Sequence, residues 1–148
     1  MKKAGNTRWH NRCLAGHDEL PMIEALFNQP SYVATKKMMD ATALRHEAIA
    51  SNIANLETPN YKRMDVAPNF TQELRAAMGS RDVSRISSLI PALAEDSNAI
   101  SPNRDGNTVQ LETELLSLNQ NTLAHALETQ LVSGNLLKLR MAITGRAG

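Results

Sequence analysis

Aromatic residues are scarce in this 148-residue sequence, which holds two Phe, two Tyr and one Trp, 3% of the chain. So small a supply excludes a broad aromatic core and suits helices that bury Ala, Leu, Ile and Met against one another. Cysteine occurs once, which excludes an internal disulfide framework and says nothing of redox compartment. An excess of one charge is also missing. Sixteen Lys and Arg stand against fifteen Asp and Glu, a formal charge of +1, so no global field argues for nucleic acid or an anionic membrane surface. No apolar run reaches the roughly 18 residues of a transmembrane helix. Lys2, Lys3 and Arg8 are not followed by the apolar stretch of a cleaved secretory leader. The length fits at most one ordinary domain.

What is present begins with a polar segment, residues 1–21, that has no helical period and contains Trp9 and Cys13. Two readings of it stand side by side: an accessory extension, or residues ahead of a true start at Met22. His10, Cys13, His17 and Asp18 are metal-ligand types at close spacing. A zinc site, however, needs four ligands held by folded structure, and nothing flanking these residues carries a folding pattern. They are expected to be incidental, and neither metal nor cofactor is assigned. After Pro21, Met22 to Phe27 form a helix-compatible apolar stretch.

From about Pro30 to Asn55 the chain reads as helix. Proline is tolerated in a first helical turn, and Ser31 is placed to cap it. Met38, Ala41, Leu44 and Ala48 recur at three-to-four spacing and form one apolar stripe, which Ile49, Ile53 and Leu56 continue. Ala34, Ala41 and Ala48 recur every seven residues and would admit a partner helix closely. Asn52 lies near the same face and needs a hydrogen-bonding partner there. The helix must end before Pro59, because proline pushes its predecessor into extended geometry. Thr58-Pro59-Asn60-Tyr61 then reads as a turn with Asn60 at positive φ, Tyr61 packed back on the helix end, and Lys62 and Arg63 exposed.

Residues 75–104 are rich in Ser, with Pro91 and Pro102, and no period persists. This stretch reads as flexible, ordering against a neighbour. Its scattered Arg75, Arg81, Arg85 and Arg104 lack aromatic interleaving and do not support nucleic-acid binding.

Asp105-Gly106-Asn107 is a turn, with Asn107 and Gln110 as a weak capping box, and Glu112 and Glu114 suit the first turn of a helix. With Leu111, Leu118, His125, Val132 and Leu139 at heptad position a, position d takes Leu115, Thr122, Thr129, Leu136 and Ile143. Seven of these ten are aliphatic, enough for a coiled-coil-like seam. Leu116, Leu123, Leu127, Leu131 and Leu137 make a second stripe, so the helix must meet more than one partner. Running from Leu111 to about Ile143, it would be roughly 50 Å long, more than the first helix can cover. His125, mid-seam, is expected to be a buried, hydrogen-bonded histidine, and His46 to lie on the surface.

The expected fold is therefore mainly α. Two long terminal helices pack as an antiparallel, coiled-coil-like pair around an irregular, partly disordered middle. The segments are 1–21, 22–63, 64–106 and 107–148. No nucleophile elbow, phosphate loop or pair of metal-spaced histidines occurs on either helix, so no enzyme and no small-molecule substrate are read.

The string Asn52-Ile53-Ala54-Asn55-x-x-Thr58-Pro59-x-Tyr61-Lys62 resembles the signature of the flagellar basal-body rod family, the axial proteins of the bacterial flagellum. That signature usually has Gly where this chain has Asn60, a mild departure because Asn tolerates the left-handed backbone. Asp40-Ala41-x-x-x-x-Arg45, Asp65, and Phe70-x-x-x-Leu74 resemble the family's proximal rod member. So do Asp105-Gly106-Asn107-x-Val109-x-Leu111-Glu112-x-Glu114 and the closing stretch from Leu136 to Ile143. The likeness covers about two thirds of the chain. It implies a structural subunit that polymerises through its terminal helices. The implied partners are other rod subunits, copies of itself, the basal-body ring with its adaptor, and the flagellar export apparatus. It also implies a place in the periplasmic rod, reached without a cleaved leader. A soluble helical adaptor or chaperone is the contrasting reading, and a small metalloprotein using His10, Cys13 and His17 a more distant one.

Overall fold

The computed structural model describes residues 27–100 and 104–145. Helix α1 (Pro30–Ala54) is followed by strand β1 (Met64–Val66), helix α2 (Pro68–Ser80), the short helix α3 (Val83–Ser88), strand β2 (Leu93–Glu95) and the long helix α4 (Leu111–Thr144). Two long helices dominate and pack against each other. The middle is built of two helices and two three-residue strands joined by irregular chain. The segment 1–21, with the metal-type residues His10, Cys13, His17 and Asp18, and parts of the segments 22–63, 64–106 and 107–148 lie outside the described residues.

α1 opens with Pro30 in its first turn, where a missing N–H costs nothing. The cap is not Ser31: Gln29 holds the N-cap position and makes no side-chain capping bond. The helix ends at Ala54, five residues before Pro59, and Asn60 takes φ 59°. α2 also starts on a proline, and Phe70, Leu74 and Ala77, at four- and three-residue spacing, are buried. Asp82 caps α3, its carboxylate accepting from the N–H of Arg85 at 3.1 Å. α4 closes on Gly145 in the left-handed region, whose N–H bonds to the carbonyl of Met141.

β1 and β2 form a two-stranded antiparallel sheet with Asp65 opposite Ala94. Their side of the molecule holds the apolar core: Ala34 from α1, Val66, Phe70, Leu74, Ala77 and Ile86, with Val33, Ala41 and Leu89 packed on it.

The antiparallel α1–α4 seam is built differently from the heptad count on the leucines. The residues of α4 buried against α1 are Glu114, Asn121 and Glu128, seven apart. Leu118, Val132, Asn135 and Leu139 are half-buried beside them. Opposite lie Asn52, Ala48 and Thr42, all buried. Polar bonds fix the register. Thr42 Oγ1 donates to Glu128 Oε2 at 2.8 Å, and Asn121 Nδ2 donates to the Thr42 carbonyl at 2.9 Å. His125 is exposed rather than buried, with its Nδ1 3.3 Å from Thr42 Oγ1. Among the position-a and position-d aliphatics, Leu111, Leu115, Leu136 and Ile143 are exposed in the single chain, as is Met38 on α1. Within the single chain these side chains are not covered. The polar side chains are tolerated inside the seam because they bond across it.

Candidate assembly site

The signature turn is held by side chains standing in for backbone. Asn52, wholly buried, donates from Nδ2 to the Met64 carbonyl at 2.8 Å and accepts at Oδ1 from the Met64 N–H at 2.9 Å. Its amide thus pairs with the free edge of β1 as a neighbouring strand would, and ties α1 to the sheet. The same Nδ2 lies 3.2 Å from Glu114 Oε2, and Tyr61 Oη donates to Asn52 Oδ1 at 3.4 Å. Asn55 Nδ2 bonds back to the Ser51 carbonyl, and Thr58 Oγ1 donates to Asn55 Oδ1.

Asn107 closes the turn from the far end of the sequence. Its Nδ2 lies 2.9 to 3.0 Å from the carbonyls of Asn55, Leu56 and Thr58, so this one amide serves the acceptors at the C-terminal end of α1. The weak capping box assigned to Asn107 is corrected accordingly. Gln110 is the N-cap of α4 without a side-chain bond, while Asn107 Oδ1 accepts from the N–H of Val109. Asn60 N–H bonds to the Asp105 carbonyl at 2.9 Å and Lys62 Nζ to the Gly106 carbonyl at 3.2 Å. At Gly106, φ 76°, an added Cβ would meet Asn60 Oδ1 at 2.7 Å.

Arg63, expected to be exposed, is buried at the centre of the arrangement. Its Nε donates to Glu114 Oε1 at 2.6 Å, and its Nη1 to Asp96 Oδ2 at 2.7 Å and Asp65 Oδ2 at 3.4 Å. Asp65 also accepts from Arg45 Nε at 2.8 Å. One guanidinium therefore links the two-stranded sheet to α4 and, through Asp65 and Arg45, to α1. Burial works against its charge, but the bond and charge of Glu114, the charge of Asp65 and the bond to Asp96 outweigh burial and hold its pKa above the ordinary value. Burial likewise opposes the charge of Asp65. The bonds from Arg45 and the Val66 N–H, with the charges of Arg45 and Arg63, win and hold its carboxyl below the usual carboxylate range.

Of the signature residues, Asn52 is buried, Ile53, Asn55 and Tyr61 are half-buried, and Ala54, Thr58, Pro59 and Lys62 are exposed. On the helices, Ala48 is buried and Ala41, Leu44, Leu118, Val132 and Leu139 are half-buried. The structure brings the signature to Asn107, Thr108 and Glu114, about fifty residues on, and leaves the outer leucines of α4 unpaired within the chain. Arg63, Asn107 and Glu114 as a linked set escaped the sequence reading. The one available signal was that charged and amide residues flank both turns without an apolar period of their own.

The second stripe of α4, Leu116, Leu123, Leu127, Leu131 and Leu137, lies on the side away from α1 and is 50 to 68% exposed. Among the described residues no group of three or more His, Cys, Asp or Glu is arranged to hold a metal, and no described helix is long and apolar enough to cross a membrane.

The family model described as "Flagella basal body rod protein" matches residues 39–62, the second half of α1 and the signature turn. The flagellar basal body rod protein FlgB of Borrelia hermsii is 30% identical over 125 residues, covering 72% of this chain and 90% of the relative. That of Aquifex aeolicus (strain VF5) is 32% identical over 115 residues, 76% and 91% of the two chains. That of Escherichia coli (strain K12) is 29% identical over 117 residues, 68% and 83%. By its likeness to these relatives over most of its length, the chain belongs to the FlgB family of flagellar basal body rod proteins.

Proposed function

We propose that this chain is a structural, non-enzymatic subunit of the flagellar basal body rod that polymerises through its two long helices, with the outer leucine stripe of α4 offered to neighbouring subunits. The observation that carries the reading is the exposure of Leu116, Leu123, Leu127, Leu131 and Leu137 along one face of a 34-residue helix. Burying a leucine contributes about 1.5–3 kcal/mol, so five in one interface supply a substantial driving force for association. Met38, Leu111, Leu115, Leu136 and Ile143 are further exposed apolar side chains on other faces of the two helices. The hub of Asn52, Arg63, Asn107 and Glu114 has a complementary task, fixing the angle at which each subunit presents its helices.

Other rod subunits and further copies of this chain are the partners of these faces. Finer placement follows from the resemblance: the base of the rod in the periplasm, beside the basal-body ring and its adaptor, reached through the flagellar export apparatus without cleavage of a leader. Deleting the gene and complementing it with the full chain tests the reading. The deletion strain is expected to lack rods by electron microscopy and to lose swimming, and complementation to restore both. Normal basal bodies in the deletion strain, with no second copy of the gene, would overturn it and favour a soluble helical adaptor.

A further inference from the structure

The helix pair carries opposite charge at its two ends. Where α1 begins and α4 closes, Lys36, Lys37, Lys138 and Arg140 stand against one carboxylate, Asp40. At the hub end, outside the ion pairs of Arg45 and Arg63, the carboxylates Glu47, Glu57, Asp105 and Glu112 stand against Lys62 and Arg104. None of these side chains forms an ion pair among the described residues. Helix dipoles do not set the sign, because each end of an antiparallel pair joins one N-terminus to one C-terminus. Nor do the ends neutralise each other within the chain. Glu112 and Lys138, both exposed, lie roughly 40 Å apart along α4, several times the screening length of about 8 Å in physiological salt.

Apolar surface is matched in the same way. At the basic end α1 and α4 leave an apolar cleft of about 120 Å³, lined by Phe27, Tyr32, Leu136, Leu139 and Ala142 with Lys138 at its side. The ring of Phe27 meets that of Tyr32 edge-on at 5.5 Å, so one wall is stiff. At the hub end Leu111 and Leu115, 39% and 46% exposed, stand one helical turn apart beside Glu112. Leucines beside a carboxylate at one end thus answer an apolar cleft beside an ammonium at the other.

We propose that copies of this chain join head to tail, the Leu111, Glu112 and Leu115 end of one copy docking on the cleft and Lys138 of the next. This rests on the assembly proposed above and adds its direction. Like ends repel, so a two-fold pair through either end is disfavoured. A head-to-tail contact uses two different surfaces and leaves each added copy with a free end for the next. The leucine stripe of α4, on the side away from α1, stays available to lateral neighbours.

Carbodiimide coupling, which joins an amine to a carboxylate in direct contact, tests it on the concentrated full chain mixed from equal parts of isotope-labelled and unlabelled protein. Mixed-isotope links are expected between Lys138 or Lys36 and Glu112 or Glu57. Their absence up to the solubility limit, or mixed-isotope links that join other pairs only, would overturn the proposal. Sedimentation of charge variants checks the sign. Lys138→Glu and Glu112→Lys, both at exposed positions, are each expected to abolish self-association. Lys138→Glu/Glu112→Lys is expected to restore it, because the polarity is only inverted. Association unaffected by either single change, or absent from the double variant while its helical circular dichroism matches wild type, would equally overturn the proposal. Rods lost on deletion of the gene, with these variants assembling as wild type does, would sink the polarity and leave the rod reading standing.

Discussion

Arg63 Nε lies 2.6 Å from Oε1 of Glu114, a carboxylate with no exposure to solvent, across 51 residues of sequence. The pair joins the strand after the signature turn to the first turn of α4. A charge buried this deeply is tolerable only while its partner remains, so removing one member is more damaging than removing both. Arg63→Met is expected to cost about 3–5 kcal/mol, measured by denaturant unfolding. Arg63→Met/Glu114→Leu is expected to recover part of that loss. A double variant as damaged as the sum of the two single ones would show that the residues act independently.

Acid should loosen the hub through Asp65. Its carboxyl lies below the ordinary value of about 3.9 that it has in the unfolded chain, so the unfolded state takes the proton first as pH falls. The stabilisation from Asp65 is therefore complete at neutral pH, fades below about pH 4, and is gone below the folded-state pKa. Arg63, whose pKa is raised, keeps its charge throughout that range and adds no slope there. Asp65→Asn is expected to lower stability at pH 7 and flatten this acid limb. A variant with the same pH dependence as the wild type would remove Asp65 from the account.

Gly106 and Asn60 are expected to be coupled. Gly106→Ala meets Asn60 Oδ1 and occupies φ 76°, a backbone conformation unfavourable for a side chain. It should destabilise by about 1–2 kcal/mol. Asn60→Gly alone should be near neutral, since it removes one left-handed residue with a side chain, φ 59°. In the double variant the collision disappears and the φ penalty remains, so thermal unfolding should show partial rescue. Strict additivity would mean that the close approach carries no energy.

How far the sequence revealed these features depends on how local each one is. Pro30, Pro59 and Asn60 declare helix start, helix stop and left-handed turn by their own backbone chemistry, and the structure places all three accordingly. Phe70, Leu74 and Ala77 stand at helical spacing in α2, yet residues 64–106 read as irregular in the sequence. Arg63 does not declare itself, because an arginine beside Lys62 looks solvated until Glu114 and Asp96 are brought to it by the fold. Asn107 is similar: the residues it caps are about fifty positions away. The register of the seam was hidden for a different reason. Leucine spacing reports which faces are apolar, not which of them this chain covers, and the register is decided by Thr42, Asn52, Asn121 and Glu128. Even that register is not fully satisfied, since Asn121 Oδ1 is buried with no hydrogen-bond partner among the described residues.

On the proposed function, the outer leucines of α4 serve assembly rather than the fold of the single chain. Leu127→Glu is the most direct test, because Leu127 is 63% exposed and lies on the face away from α1. Unfolding of the purified variant should match wild type within about 0.5 kcal/mol, as for an ordinary surface substitution, while rods and swimming fail in complemented cells. Wild-type rods and motility with Leu127→Glu, at normal protein levels, would contradict the account.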